Sequence, residues 1–226
     1  MDNVHVSRAA VVRIPALAPA HVAIATALAT PLLLACLRVL SPEFDPSYRL
    51  MSEYARGRYG WVLALTFLCW GVSSWALALA IRSQVRTRAA RVGLALLVVA
   101  GCGQALAAVL DIRNDIGHNL AGILGLIGLP VAALLISRRL GQLRLKVLAH
   151  LTWISLVLWM ASFVLLIATM LHVNGSLPAM APPSLPHGVI GVVGWTNRLL
   201  VVVYCAWTAA VAAHSIRLRR APRLKP

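Results

Sequence analysis

Six long apolar stretches constrain this chain more than any other feature. They run approximately over residues 15–40, 60–81, 92–110, 118–136, 147–171 and 189–216, and short polar segments separate them. A helix needs about 20 predominantly apolar residues to cross the hydrocarbon core of a bilayer, and each stretch is close to that length. The sequence therefore predicts an all-α, polytopic transmembrane helix bundle with six spans, forming a single integral membrane domain over residues 1–226.

The composition excludes an ordinary soluble domain. Of the 226 residues, 60% are hydrophobic and 12% are charged, whereas soluble domains carry about 25% charged residues. The chain has 21 Lys and Arg against 6 Asp and Glu, a formal net charge of +15. Such a charge can indicate nucleic-acid binding, but cytoplasmic anchoring charges explain it in a membrane protein. We therefore expect membrane lipids, and no nucleic acid, as partners.

The distribution of the charges predicts the orientation. Every acidic residue except Asp2 falls on one side of the predicted spans. Cytoplasmic segments are enriched in Lys and Arg, so both termini are predicted to be cytoplasmic and residues 217–226 to form a basic cytoplasmic tail. The predicted location is the cell inner (plasma) membrane, crossed several times. The predicted cytoplasmic side, opposite the acidic residues, holds fifteen basic residues: Arg8, Arg13, Arg82, Arg86, Arg88, Arg91, Arg138, Arg139, Arg144, Lys146, Arg217, Arg219, Arg220, Arg223 and Lys225.

Arg198 is the most informative single residue. It lies about three turns inside the last predicted span and is followed by apolar residues. An arginine at such a position costs a few kcal/mol unless it reaches the interface or an anion. Asp111 and Asp115, which follow the third span, are the expected partners. The pattern fits either a buried ion pair that fixes helix register or a site for an anionic ligand.

The connection between the third and fourth spans is unusually polar. Asp111, Asp115 and His118 would share one face if this segment were helical, and two carboxylates with one imidazole can hold a divalent metal. Asn114 and Gly117 favour a turn instead, so a hydrogen-bonded loop that caps the fourth helix is preferred. The three residues are therefore weak metal candidates, and no cofactor is expected.

The first external loop carries polar and aromatic residues just before the second span. Tyrosine and tryptophan suit the headgroup level, and Glu53 and Arg56 are spaced for an i, i+3 helical pair. These residues predict an interfacial helix. The alternative is that Glu53 and Tyr54 close over a pocket beneath the loop.

The fourth span contains Gly122, Gly125 and Gly128, followed by Pro130. Small residues at this spacing allow neighbouring membrane helices to approach closely. Because Pro130 has no N–H, the carbonyl one turn earlier loses its helical hydrogen bond.

Three short motifs resemble a known family: Ser52-Glu53-Tyr54 running into Gly60-Trp61, an acidic residue before His118, and Gly-x-x-Gly-x-x-x-Arg from Gly191 to Arg198. Over about residues 20 to 218 the chain is similar to the six-helix prokaryotic integral membrane proteins of the domain of unknown function 998 (DUF998). Members typically have Phe-Pro and Asp after the third span, whereas this chain reads Ala108-Val109-Leu110-Asp111. Either Asp111 or Asp115 is then the counterpart of the aspartate that family members have after the third span. The resemblance implies a fold, a bacterial membrane location and no established activity.

The candidate functions share one set of residues. The first is an outer-leaflet polar pocket that binds a lipid headgroup or another anionic amphiphile. The second is a membrane-embedded enzyme in which His118 acts as base or metal ligand and Arg198 steadies negative charge. A haem-binding electron-transfer protein is a third alternative, because histidines occur near both faces. The candidate ligand-binding residues are Glu53, Tyr54, Asp111, Asp115, His118 and Arg198.

Overall fold

The computed structural model describes residues 17–110, 115–176, 182 and 184–220, without the side chains of Asp115 and Arg220. Within these residues all regular structure is helical. The long helices are α1 (Leu17–Leu40), α2 (Gly60–Ile81), α3 (Arg88–Val109), α4 (Asp115–Leu140), α5 (Leu143–Asn174) and α6 (Val193–Arg220), and a short 3-10 helix spans Met51–Arg56. All six long helices are apolar enough to cross a membrane, which confirms the predicted all-α bundle with six candidate spans.

The helices extend beyond the apolar stretches at several ends. Helix α3 begins at Arg88, where Thr87 Oγ1 accepts a hydrogen bond from the Ala90 backbone N–H at 3.3 Å. An N-cap of this kind satisfies one of the free N–H groups of the first turn, so the helix starts before its apolar residues do. Helix α6 continues to Arg220, so the first four residues of the predicted basic tail are helical.

Consecutive helices pack side by side, and α6 returns to α1, which closes a ring. Helices α2 and α6 also contact each other across the ring. In each of these two helices 61% of the most apolar 18-residue segment is buried, against 22% of the corresponding segment in α5. Helices α2 and α6 therefore form the centre of the bundle, and α5 presents most of its surface to lipid.

A hydrogen bond between helices compensates for Pro130 inside α4. Proline has no N–H to donate to the carbonyl four residues earlier, which is that of Leu126. The fully buried Tyr204 of α6 donates its hydroxyl to Leu126 O at 2.7 Å. Because lipid offers no hydrogen-bond donors, this bond both satisfies the carbonyl and ties α4 to α6.

Helices α3 and α4 approach closely at Gly103. A Cβ at this position would lie 2.7 Å from the backbone N of Gly125, which is too close for any side chain. This is the close packing that the glycines of the fourth span predict.

The two ends of the bundle differ in chemistry. Neighbouring helices alternate in direction, so the 41–59 connection and the described residues between α5 and α6 lie at the same end as Arg198. We call it the Arg198 end. The opposite end carries the arginines of the 82–87 connection and of the α4 and α6 C-termini, and we call it the basic end. Its predicted cytoplasmic orientation stays a prediction.

Candidate functional site

The loop between α1 and the 3-10 helix covers the Arg198 end. Its two prolines, Pro42 and Pro46, prevent a continuous helix, and a turn forms at Asp45 instead. The Asp45 Oδ1 atom accepts hydrogen bonds from the Ser47 backbone N–H at 2.8 Å and from the Ser47 hydroxyl at 2.7 Å. These bonds, with smaller contributions from the charges of Arg38 and Arg198, lower the pKa of Asp45 below its ordinary value. Asp45 is therefore ionised at neutral pH.

Arg198 fastens this loop to α6. Its Nη1 atom donates to Gly194 O at 2.8 Å, to Arg49 O at 3.0 Å and to Pro46 O at 3.3 Å. Two of these acceptors, the loop carbonyls of Arg49 and Pro46, have no helical N–H as a partner. A carbonyl left without a hydrogen bond near lipid is costly. The partners of Arg198 among the described residues are thus backbone oxygens and one phenol. The predicted pairing with Asp111 or Asp115 involves side chains outside the described residues and stays a prediction.

The first turns of α6 complete the attachment. The Gly194 backbone N–H donates to Ser47 O at 2.8 Å, and Asn197 Oδ1 accepts from the Met51 backbone N–H at 3.0 Å. A Cβ at position 194 would lie 2.6 Å from Arg49 O, so only glycine allows the loop to lie this close. The Gly-x-x-Gly-x-x-x-Arg motif therefore describes a docking surface for the loop.

Tyr54 lies beneath the guanidinium of Arg198. It is fully buried, and its hydroxyl accepts a hydrogen bond from Arg198 Nη2 at 3.1 Å. The Arg198 guanidinium carbon lies 5.5 Å from the centre of the Tyr54 ring, and the centre of the Phe44 ring lies 5.1 Å from it. Two of the predicted site residues, Tyr54 and Arg198, are thus in direct contact.

Glu53 has a different partner from the one its spacing predicts. Its carboxylate pairs with Arg49 at 2.7 Å, not with Arg56, and it also accepts the Leu50 backbone N–H at 3.0 Å. Both side chains of the pair are about one-tenth exposed. The segment forms a 3-10 helix, and the Glu53 carboxylate turns back toward its start to accept the Leu50 N–H. This places the carboxylate beside Arg49, whereas Arg56 is the last residue of the helix.

Arg49 also connects the two loops of this end. Its Nη2 atom donates to Pro182 O at 2.8 Å, and the same carbonyl accepts the Tyr48 hydroxyl at 3.1 Å. The α5–α6 connection is therefore tied to the α1 loop at Pro182.

His118 belongs to the first turns of α4, where its Nδ1 lies 3.3 Å from Leu110 O at the end of α3. Among the described residues, His118 makes no contact with Arg198 or with Tyr54, Glu53 and Arg49, the side chains that surround Arg198 and that together with it we call the Arg198 cluster. Asp111 and the Asp115 side chain lie outside the described residues, so the predicted metal set is not tested. Within the described part of the chain, no group of three or more His, Cys, Asp or Glu could hold a metal ion.

A groove opens beside Arg198 and its partners. It lies between the end of α1, the loop that follows α1, and the start of α6. Arg38 lies with its guanidinium carbon 5.4 Å from the centre of the Trp195 ring, and Trp195 is half exposed. Among the described residues, no acceptor forms a hydrogen bond with Arg38. The groove has a volume of about 430 Å³ and is lined by Arg38, Val39, Pro42, Phe44, Asp45, Pro46 and Trp195. We call it the Arg38 groove.

Arg38 and Trp195 are not among the site residues that the sequence predicts. A signal was present, because Arg38 interrupts the apolar run in the last turn of α1. That Trp195 lies next to it is visible only after α1 and α6 pack together.

The fold and the composition of its surface define the class: this is a multi-pass membrane protein built as a helical bundle. A family model described as "Protein of unknown function (DUF998)" matches residues 22–214. The chain therefore belongs to the DUF998 family, as its motifs indicated. No curated protein and no solved structure matches the chain.

Proposed function

We propose that the Arg38 groove binds the phosphate-bearing headgroup of a membrane lipid. One observation carries the proposal: Arg38 lines the groove, and no acceptor among the described residues forms a hydrogen bond with its guanidinium. A guanidinium recognises phosphate through paired, charge-assisted hydrogen bonds.

The position and lining of the groove favour a lipid over a free anion. It lies at the end of two candidate spans, and Val39 and Trp195, both well exposed, flank the charged group with apolar surface. Aromatic and basic side chains at such a level are typical of the headgroup region. The positive-inside rule predicts that this end faces the outer leaflet.

Three of the residues predicted to bind a ligand, Glu53, Tyr54 and Arg198, supply the scaffold of this site. Glu53 and Tyr54 are buried, and their polar atoms bond to Arg49, Leu50 and Arg198. Arg198 holds the carbonyl of Pro46, a residue that lines the groove. In this proposal Arg198 positions the wall of the groove, and Arg38 contacts the lipid.

The test compares Arg38→Gln with Arg56→Gln. Arg56 is a matched control because it is exposed at the same end but does not line the groove. Retention of added phosphatidylglycerol by the detergent-purified protein is measured by native mass spectrometry, with diacylglycerol as the probe that lacks phosphate. Because Arg38→Gln removes a charged hydrogen-bonded pair, this variant is expected to retain phosphatidylglycerol about tenfold more weakly than the wild type. Arg56→Gln is expected to retain the lipid as well as the wild type does. Equal retention by both variants and the wild type would overturn the proposal.

A further inference from the structure

Two opposite charges line the Arg38 groove without neutralising each other. Arg38 and Asp45 both face it, yet among the described residues the ion pair within 4 Å is Arg49 with Glu53. Arg38 is still near enough for its charge to act on the Asp45 carboxylate. The groove thus presents a cation and an anion that are separated by a gap.

The Asp45 carboxylate has an oxygen available for a ligand. Both hydrogen bonds from Ser47 go to Oδ1, and no donor among the described residues bonds to Oδ2. The turn fixes the carboxylate in place, so its free oxygen is presented at low entropic cost.

From this pairing of charges we propose that the groove selects a lipid whose headgroup carries a primary ammonium beside its phosphate, as phosphatidylethanolamine does. Arg38 binds the phosphate, and Asp45 Oδ2 accepts a hydrogen bond from the ammonium group. This inference rests on the proposed function and adds the identity of the headgroup.

Other headgroups fit the two charges less well. A headgroup that is only anionic meets the negative charge of Asp45, and like charges at short range repel. A choline headgroup has no N–H to donate to Asp45. An aromatic face is the usual partner of such a quaternary ammonium, but the Trp195 ring already has the Arg38 guanidinium carbon 5.4 Å from its centre.

The experiment uses the full chain in detergent and three added lipids with the same acyl chains: phosphatidylethanolamine, phosphatidylglycerol and diacylglycerol. Competitive retention is read by native mass spectrometry for the wild type, Asp45→Asn and Glu43→Gln. Asparagine keeps an oxygen that can accept both Ser47 bonds, so the loop turn is preserved. Glu43 is the matched control because it is an exposed carboxylate of the same loop that does not line the groove.

The wild type and Glu43→Gln are expected to retain phosphatidylethanolamine at least about fivefold better than phosphatidylglycerol. Asp45→Asn is expected to lose that preference while still retaining both phospholipids over diacylglycerol. If the wild type retains the two phospholipids equally and both over diacylglycerol, the headgroup selection is wrong and the proposed function stands. If diacylglycerol is retained equally well, the proposed function fails, and the inference fails with it.

Discussion

Replacing Arg198 by alanine tests the attachment of the loop to the bundle. The change removes the donors that reach Arg49 O at 3.0 Å and Pro46 O at 3.3 Å. Hydrogen bonds to a charged group contribute about 1.5–3 kcal/mol each, so the two loop carbonyls together give about 3 kcal/mol at the lower limit. For a chain of this size 1 kcal/mol corresponds to roughly 2–4 °C. We expect the melting temperature in detergent to fall by roughly 6–12 °C.

The same variant should loosen one region more than the rest. Hydrogen exchange of the backbone amides of residues 41–56 is expected to accelerate, while the centres of α2 and α6 stay protected. Arg56→Ala is the matched control, because this exposed arginine of the same end has no role in the attachment. An unchanged melting temperature together with unchanged exchange in the loop would refute the reasoning.

A double-mutant cycle identifies the partner of Arg198. The hydrogen bond to Tyr54 predicts that Arg198→Ala and Tyr54→Phe are not additive, with a coupling of about 0.5–3 kcal/mol. Cycles with Asp111→Ala and Asp115→Ala test the carboxylate pairing predicted from the sequence. Coupling to an aspartate and none to Tyr54 would show that the described contacts are not the ones that stabilise the guanidinium.

Two further predictions concern the bundle. Tyr204→Phe leaves Leu126 O without the donor that compensates for Pro130, so a loss of about 1–3 kcal/mol is expected in thermal unfolding; a variant as stable as the wild type would show that the bond is unimportant. The charge distribution predicts that alkaline phosphatase is inactive when fused after Pro226 and active when inserted near Pro182. The reverse pattern would contradict the orientation.

The sequence predicted the helices better than their ends. The apolar stretches locate all six long helices, because each must satisfy its own backbone in lipid and this requires a long apolar run. Their ends depend on caps and turns, such as Thr87 at the start of α3 and the prolines after α1. These local hydrogen bonds do not appear in hydropathy.

The candidate site was predicted only in part. Glu53, Tyr54 and Arg198 were identified because charged and polar residues are rare in such a chain. Their partners could not be predicted, because most acceptors of Arg198 are backbone carbonyls, and every residue of the sequence has one. Glu53 pairs with Arg49 instead of Arg56 because its carboxylate turns back to the Leu50 N–H before the 3-10 helix, which spacing alone does not indicate.

By itself, the sequence determined that this chain forms a membrane bundle of six apolar helices, because hydrocarbon imposes the same length and the same internal hydrogen bonding on every span. Only the tertiary structure decided which polar groups meet. Arg38 and Trp195 are far apart in the chain and form a groove because α1 packs against α6. Pairwise packing of apolar helices depends on the shapes of their surfaces, such as the missing side chain of Gly103 where α3 meets α4, and not on their hydropathy.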